Sequence, residues 1–220
     1  MFRKRLFTSL RWSVAAAVWG AGVALAQVPG APALQNAFGN PGLAVAGNFG
    51  GGGGASFYGA AAAYGLGSGR LQVSAAAGMQ RANSASRGAY GGRVSAGLWS
   101  SGGGALGAAA FAGIGGAPRT RDESDIVTNP AVLTVPVGVT IGYRRGLGAT
   151  RGISAYASPL YRWTRLATDT ETSSGTFAAA IGLDVSISQS FGATVGAEFG
   201  RSDGATSSTI GVALSFVPGR

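Results

Sequence analysis

The chain has 220 residues, with 40 glycines, 46% apolar and 11% charged residues, no cysteine, no histidine and a net charge of +9. The glycines lack a three-residue period, which excludes collagen, and scarce charge beside high apolar content excludes a solvated disordered chain. Without histidine or cysteine there is no Ser-His or Asp-His mechanism, no zinc cluster and no disulfide framework.

Residues 1–26 are expected to be a cleaved secretory signal: "MFRKRLFTSLRW" is basic, "SVAAAVWGAGVALA" is apolar, and Ala24-Leu25-Ala26 offers small residues where a signal peptidase inspects them. The apolar stretch is short for a membrane-spanning helix, and Gln27 follows it, so no lipid-bearing cysteine is made. Loss of Arg3, Lys4, Arg5 and Arg11 lowers the net charge by four, from +9 to +5. The remaining arginines are spread along the chain, so a nucleic-acid partner is not expected. Residues 27–41, "QVPGAPALQNAFGNP", form an irregular leader.

Ten candidate strands follow: 42–50, 55–66, 70–81, 88–99, 104–116, 131–144, 152–166, 175–187, 190–201 and 207–217. Alternation with a period of two recurs from segment to segment and is clearest in five of them, while the fifth, "ALGAAAFAGIGG", is too rich in alanine and glycine to assign a face. In the eighth, Phe177, Ala179, Ile181, Leu183, Val185 and Ile187 oppose Ala178, Ala180, Gly182, Asp184, Ser186 and Ser188. In the ninth, Phe191, Val195 and Phe199 oppose Gly192, Thr194, Gly196 and Glu198. The connections alternate too: "GSG", "SSGGG", "RGLGATRG" and "SQS" at one end, and the longer "RANSASRG", "APRTRDESDIVTNP" and "TDTETSSG" at the other. Six of the eight acidic residues fall at the longer-loop end, which also holds "GGGGA" and, with Asp203, "SDGATS". Aromatics gather at both ends of the segments, where an amphipathic ring sits well at a membrane interface, although Trp99 is out of phase with its strand unless a bulge intervenes.

Two architectures bury such strands: a soluble β-sandwich binding module covers the apolar face with a second sheet, and a membrane barrel covers it with lipid. The low charge and the alanine- and glycine-rich second face favour the barrel. The predicted fold is all-β: an antiparallel up-and-down transmembrane β-barrel over 42–217, with about ten strands, or eight as the alternative.

On the signal "ALA" before Gln27, the alternating hairpins and the final strand "STIGVALSFV", the chain resembles the small bacterial outer-membrane β-barrel proteins, the OmpA- and opacity-like group. The resemblance covers about residues 42–217 and singles out no subfamily. It implies a location in the cell outer membrane after export through the periplasm. It implies lipid and lipopolysaccharide as neighbours, and an assembly machinery that reads a terminal aromatic. Here Phe216 is near the end but Val217-Pro218-Gly219-Arg220 follow it. Ten strands are similar to omptin proteases or ten-stranded adhesins, but the enzymes of the group use histidine, which this chain lacks, so no catalytic activity and no cofactor are expected.

By parity Arg93, Arg162, Asp184 and Glu198 face the lumen. Tight hairpins would put Arg162, Ala180 and Glu198 on one level, making an internal ion pair or, in a functional reading, a selectivity constriction. Arg119, Arg121, Asp122, Glu123 and Asp125 share the longest loop; they suit local ion pairs in a solvated loop, or contact with a divalent cation or lipopolysaccharide. "GGGALG" at Gly102–Gly107 is expected to be a turn without nucleotide. Pro136 and Pro159, nearly opposed on neighbouring strands, are expected to gap or kink the wall. The expected role is structural or surface-exposed, with narrow passive permeation of small solutes through a bore lined by small residues. The alternative is an adhesin acting through 81–88, 117–130 and 168–175.

Overall fold

Alternation with small residues on one side makes strands that must be paired on both edges, because a membrane offers no water to an open edge. The computed structural model describes residues 28–29, 31–32, 34–82, 85–121, 127–148, 151–167, 171–202 and 205–218. Its strands are β1 (Gly42–Gly52), β2 (Ala55–Leu66), β3 (Leu71–Ala82), β4 (Ala85–Ser100), β5 (Leu106–Ala117), β6 (Thr120–Arg121), β7 (Val127–Asn129), β8 (Ala131–Gly146), β9 (Gly152–Ala167), β10 (Glu171–Ser186), β11 (Phe191–Ser202) and β12 (Ala205–Phe216). All but β6 and β7 form one closed antiparallel barrel in the order β1-β12-β11-β10-β9-β8-β5-β4-β3-β2. Closure is made by β1 on β12, with Val45 opposite Phe216 and Gly51 opposite Ile210. Ten strands in one closed sheet rule out both the two-sheet sandwich and the eight-stranded alternative.

The two faces separate sharply. In β10, Phe177 and Ile181 are 77% and 51% exposed, while Ala180 and Asp184 are 1% and 5% exposed. Val73, Val94, Ile141, Val195, Ile210 and Leu214 continue the outward apolar band around the wall. A continuous band of this kind needs hydrocarbon against it, so the chain spans a membrane. Trp99, Tyr143, Phe191 and Phe216 ring the end where β1 starts and β12 stops, here the terminal end; Phe49, Tyr58, Tyr90, Tyr161, Phe177 and Phe199 ring the opposite, loop end. The out-of-phase Trp99 is explained by a bulge: Gly97 pairs with Ala109 and Trp99 with Ala108, so Leu98 is the extra residue and both it and Trp99 face outward.

The loops differ from expectation. The segments 81–88 and 168–175 are mostly strand, since β3 and β4 extend to Ala82 and Ala85, and β9 and β10 to Ala167 and Glu171. Their Ser, Thr and Gly residues mimic loop composition, but beyond the hydrocarbon a polar side chain costs a paired strand nothing. In the long 118–130 connection the described residues pair as the ribbon β6–β7.

The prolines also differ from expectation. Pro136 lies opposite Arg162, three residues from Pro159 in register. They interrupt two different ladders. The β5–β8 pairing breaks between Ala112/Val137 and Gly115/Thr134, around Pro136, and the β8–β9 pairing breaks between Gly138/Leu160 and Ile141/Ala157, around Pro159. Proline has no N–H to give at either place. At the second gap the inward hydroxyls of Thr140 and Ser158 bond each other at 2.7 Å.

Candidate functional site

The lumen is where the chain concentrates its buried polar groups, and it is not empty. The described residues of the 28–41 leader have no strand or helix of their own and run down the inside of the barrel to the terminal end, where Gly42 opens β1. Val28, Leu34, Gln35, Asn36, Ala37 and Phe38 are all buried. The barrel makes room for them with inward glycines. A Cβ on Gly50 or Gly211 would meet Pro32, one on Gly196 would meet Leu34, one on Gly142 would meet Ala37 and Phe38, and one on Gly107 would meet Phe38. Farther down, Gly65 and Gly69 lie against the backbone of Asn40 and Pro41. The bore expected from these small residues is therefore filled by the chain's own leader.

Polar contacts fix the leader's height. The Asn36 amide donates to Ser154 Oγ at 2.8 Å and to the Asp184 carboxylate, which also accepts from the Thr194 hydroxyl. Arg93 donates to Gln35 Oε1 at 2.8 Å, and Ser158 donates to the Gln35 carbonyl at 3.3 Å, so the hydroxyl pair at the β8–β9 gap also holds the leader. Asn36 Oδ1 accepts the Phe38 N–H at 3.2 Å, a local turn that aims the Phe38 ring at Gly107. The Arg144 guanidinium stacks on that ring at 4.5 Å and its Nε donates to the Gly104 carbonyl at 2.6 Å. The stretch Gly102–Gly107 is thus the β4–β5 turn and the start of β5, with Gly104 in the left-handed region at φ 66°.

Of the sequence-singled charges, Arg93, Asp184 and Glu198 are buried inside the barrel and Arg162 is partly so. Glu198 accepts from the Arg162 guanidinium, and Arg93 lies within electrostatic reach of both. Arg93 also stacks on Phe111, 4.8 Å from the ring centre. The common level assumed for Arg162, Ala180 and Glu198 is corrected. Ala180 pairs with Glu198 but with Ser158 on β9, while Arg162 pairs with Thr176. The β9–β10 hairpin turns earlier in the chain than its composition suggests, shifting the register by four residues, and the long arginine side chain spans the offset.

At the loop end, Arg119 donates to the Ala167 carbonyl at 3.3 Å and Arg121 is exposed on β6; Asp122, Glu123 and Asp125 lie outside the described residues. Two residues not foreseen from the sequence anchor this loop. Buried Arg87 donates to the carbonyls of Pro118 (3.0 Å) and Pro130 and to Gln80 Oε1 (2.8 Å). Buried Asn129 donates to the Ala82 carbonyl at 3.2 Å and to Thr120 Oγ1 at 3.0 Å.

No protein-family profile matches the chain, and no curated protein matches it in sequence. Solved structures are similar to it in fold. A bacterial polysaccharide outer membrane secretin superposes with a TM-score of 0.50 at 9% identity, over 74% of this chain and 56% of its own, so the chain spans little more than half of that structure. Neisserial surface protein A superposes with a TM-score of 0.39 at 9% identity, over 80% of this chain and 96% of its own. The N-terminal β-barrel domain of Pseudomonas aeruginosa OprF superposes with a TM-score of 0.34 at 11% identity, over 81% of this chain and 99% of its own. At these identities the likeness is one of fold alone, that of a closed antiparallel β-barrel.

Proposed function

We propose that this is a non-enzymatic outer-membrane barrel that stands closed to solutes, its bore stoppered by residues 28–41. In this reading residues 1–26 direct export and are removed, the terminal end faces the periplasm, and the 118–130 connection faces outward beside lipopolysaccharide. Phe216, stacked on Phe191 with ring centres 5.0 Å apart, is the aromatic offered to the assembly machinery. The lumen charges act as internal counter-ions for one another rather than as a selectivity filter, since Glu198 is already engaged by Arg162. An adhesive surface, if the protein has one, reduces to 118–130, because the other two connections invoked for it are tight hairpins.

The observation that carries the proposal is the seating of Leu34, Asn36 and Phe38 against inward glycines and Asp184. Planar-bilayer recordings test it. The protein with its leader is expected to be silent, and deletion of residues 28–38 is expected to produce small stable channels. Equal currents with and without the leader would overturn the plug; silence in both, with a correctly folded barrel, would overturn permeation as a latent capacity.

A further inference from the structure

The terminal mouth carries a cavity that the plug does not use up, with apolar walls and two arginines. It has a volume of about 350 Å³ and lies between Phe38–Pro41 of the leader and the β2–β3 and β4–β5 turns, with Ser68, Arg70, Trp99, Ser100 and Arg144 on its walls. Two arginines line it and no carboxylate does. Arg145 and Arg151 are exposed on the neighbouring β8–β9 turn, closed by the Leu147 N–H on the Arg151 carbonyl at 3.0 Å. Among the described residues the one carboxylate toward this end, Asp184, is turned into the lumen and occupied by Asn36 and Thr194. Among the described residues the mouth thus presents arginines and no outward-turned carboxylate, and such an arrangement attracts an anion.

Its position selects the kind of anion. Trp99, which lines the cavity, is 57% exposed on the outward face beside Leu98, at 63%. The cavity thus opens where the apolar band gives way to polar turns, the depth of lipid headgroups. Guanidinium groups match phosphate oxygens with paired donors, and the serine hydroxyls add neutral ones.

We propose that this cavity binds the phosphate of an anionic phospholipid, with Arg70 and Arg144 on the headgroup and Trp99 and Leu98 along the acyl chains. The site shares Phe38–Pro41 with the plug, but its test reads lipid binding and not conductance, so the two can fail separately. Native mass spectrometry of the detergent-purified protein tests it, with phosphatidylglycerol and phosphatidylcholine offered at equal concentration. Phosphatidylglycerol adducts are expected to dominate. Arg70→Gln should reduce that preference several-fold, Arg70→Lys should retain most of it, and Arg201→Gln, at the loop end, should leave it unchanged. Arg144 is left intact because it also holds Phe38 and Gly104. Equal adducts of the two lipids, or an unchanged preference in Arg70→Gln, would overturn the site. Displacement of the lipid by millimolar inorganic phosphate would overturn the lipid assignment in favour of free phosphate. Heat-modifiable gel mobility verifies that each variant is folded, so that a lost preference is read on an intact barrel.

Discussion

Glu198 is 3% exposed and lies within reach of two guanidinium groups, those of Arg162 and Arg93. Taking away one member of a buried pair leaves the other charge without compensation, which costs about 3–5 kcal/mol in a fully buried setting. Arg162 keeps a side-chain exposure of 23%, so Glu198→Gln is expected at the low end of that range, read as a lower urea midpoint for unfolding from lipid vesicles. The double variant Glu198→Gln/Arg162→Met should recover part of the loss, because the stranded charge goes with its partner; no recovery would mean that Arg93, not Arg162, is the main counter-ion. That these residues face inward was legible from parity alone, since a period of two assigns a face without knowledge of the partner strand. Their mutual level was not legible: it depends on where each hairpin turns, and "TDTETSSG" pairs its backbone despite its loop-like composition.

The leader is the element that periodicity cannot read. Residues 28–41 have no repeat, and an irregular segment gives no sign of where it lies. The available signal was in the wall: Gly107, Gly142, Gly196 and Gly211 stand on the inward face of four strands, where glycine weakens a strand unless another backbone or side chain approaches closely. Leu34, 2% exposed against Gly196, adds the roughly 1.5–3 kcal/mol that follows from burying a leucine side chain. Gly142→Leu, whose Cβ would meet Ala37, Phe38 and Asn36 of the leader, fills the lumen from the wall and should expel the leader while sparing the barrel. Because the chain has no cysteine, a single Ala37→Cys reports the outcome. Its reaction with a water-soluble maleimide should be slow alone and much faster when combined with Gly142→Leu; fast labelling of Ala37→Cys by itself would place the leader outside the lumen.

At the scale of the whole molecule, two surfaces define the protein: an outward apolar band, and an inner surface packed against residues of the leader. The closed sheet, the strand order and the lipid-facing parity were legible because each repeats over ten segments, so local errors of a residue or two cancel. The ribbon β6–β7, the arginine and asparagine that anchor it, and the filled lumen were not, because each rests on contacts between residues distant in sequence, such as Arg87 on Pro130 and Asn36 on Asp184. A nuclear Overhauser spectrum of methyl-labelled protein in protonated detergent examines both surfaces together. Ile181, Val195 and Ile210 methyls should show cross-peaks to detergent methylene protons and none to water, while the Leu34 methyls should show cross-peaks to the Gly196 backbone and to neither detergent nor water. Water cross-peaks at Leu34, or their appearance at the three outward methyls, would contradict a lipid-clad barrel closed by its own leader.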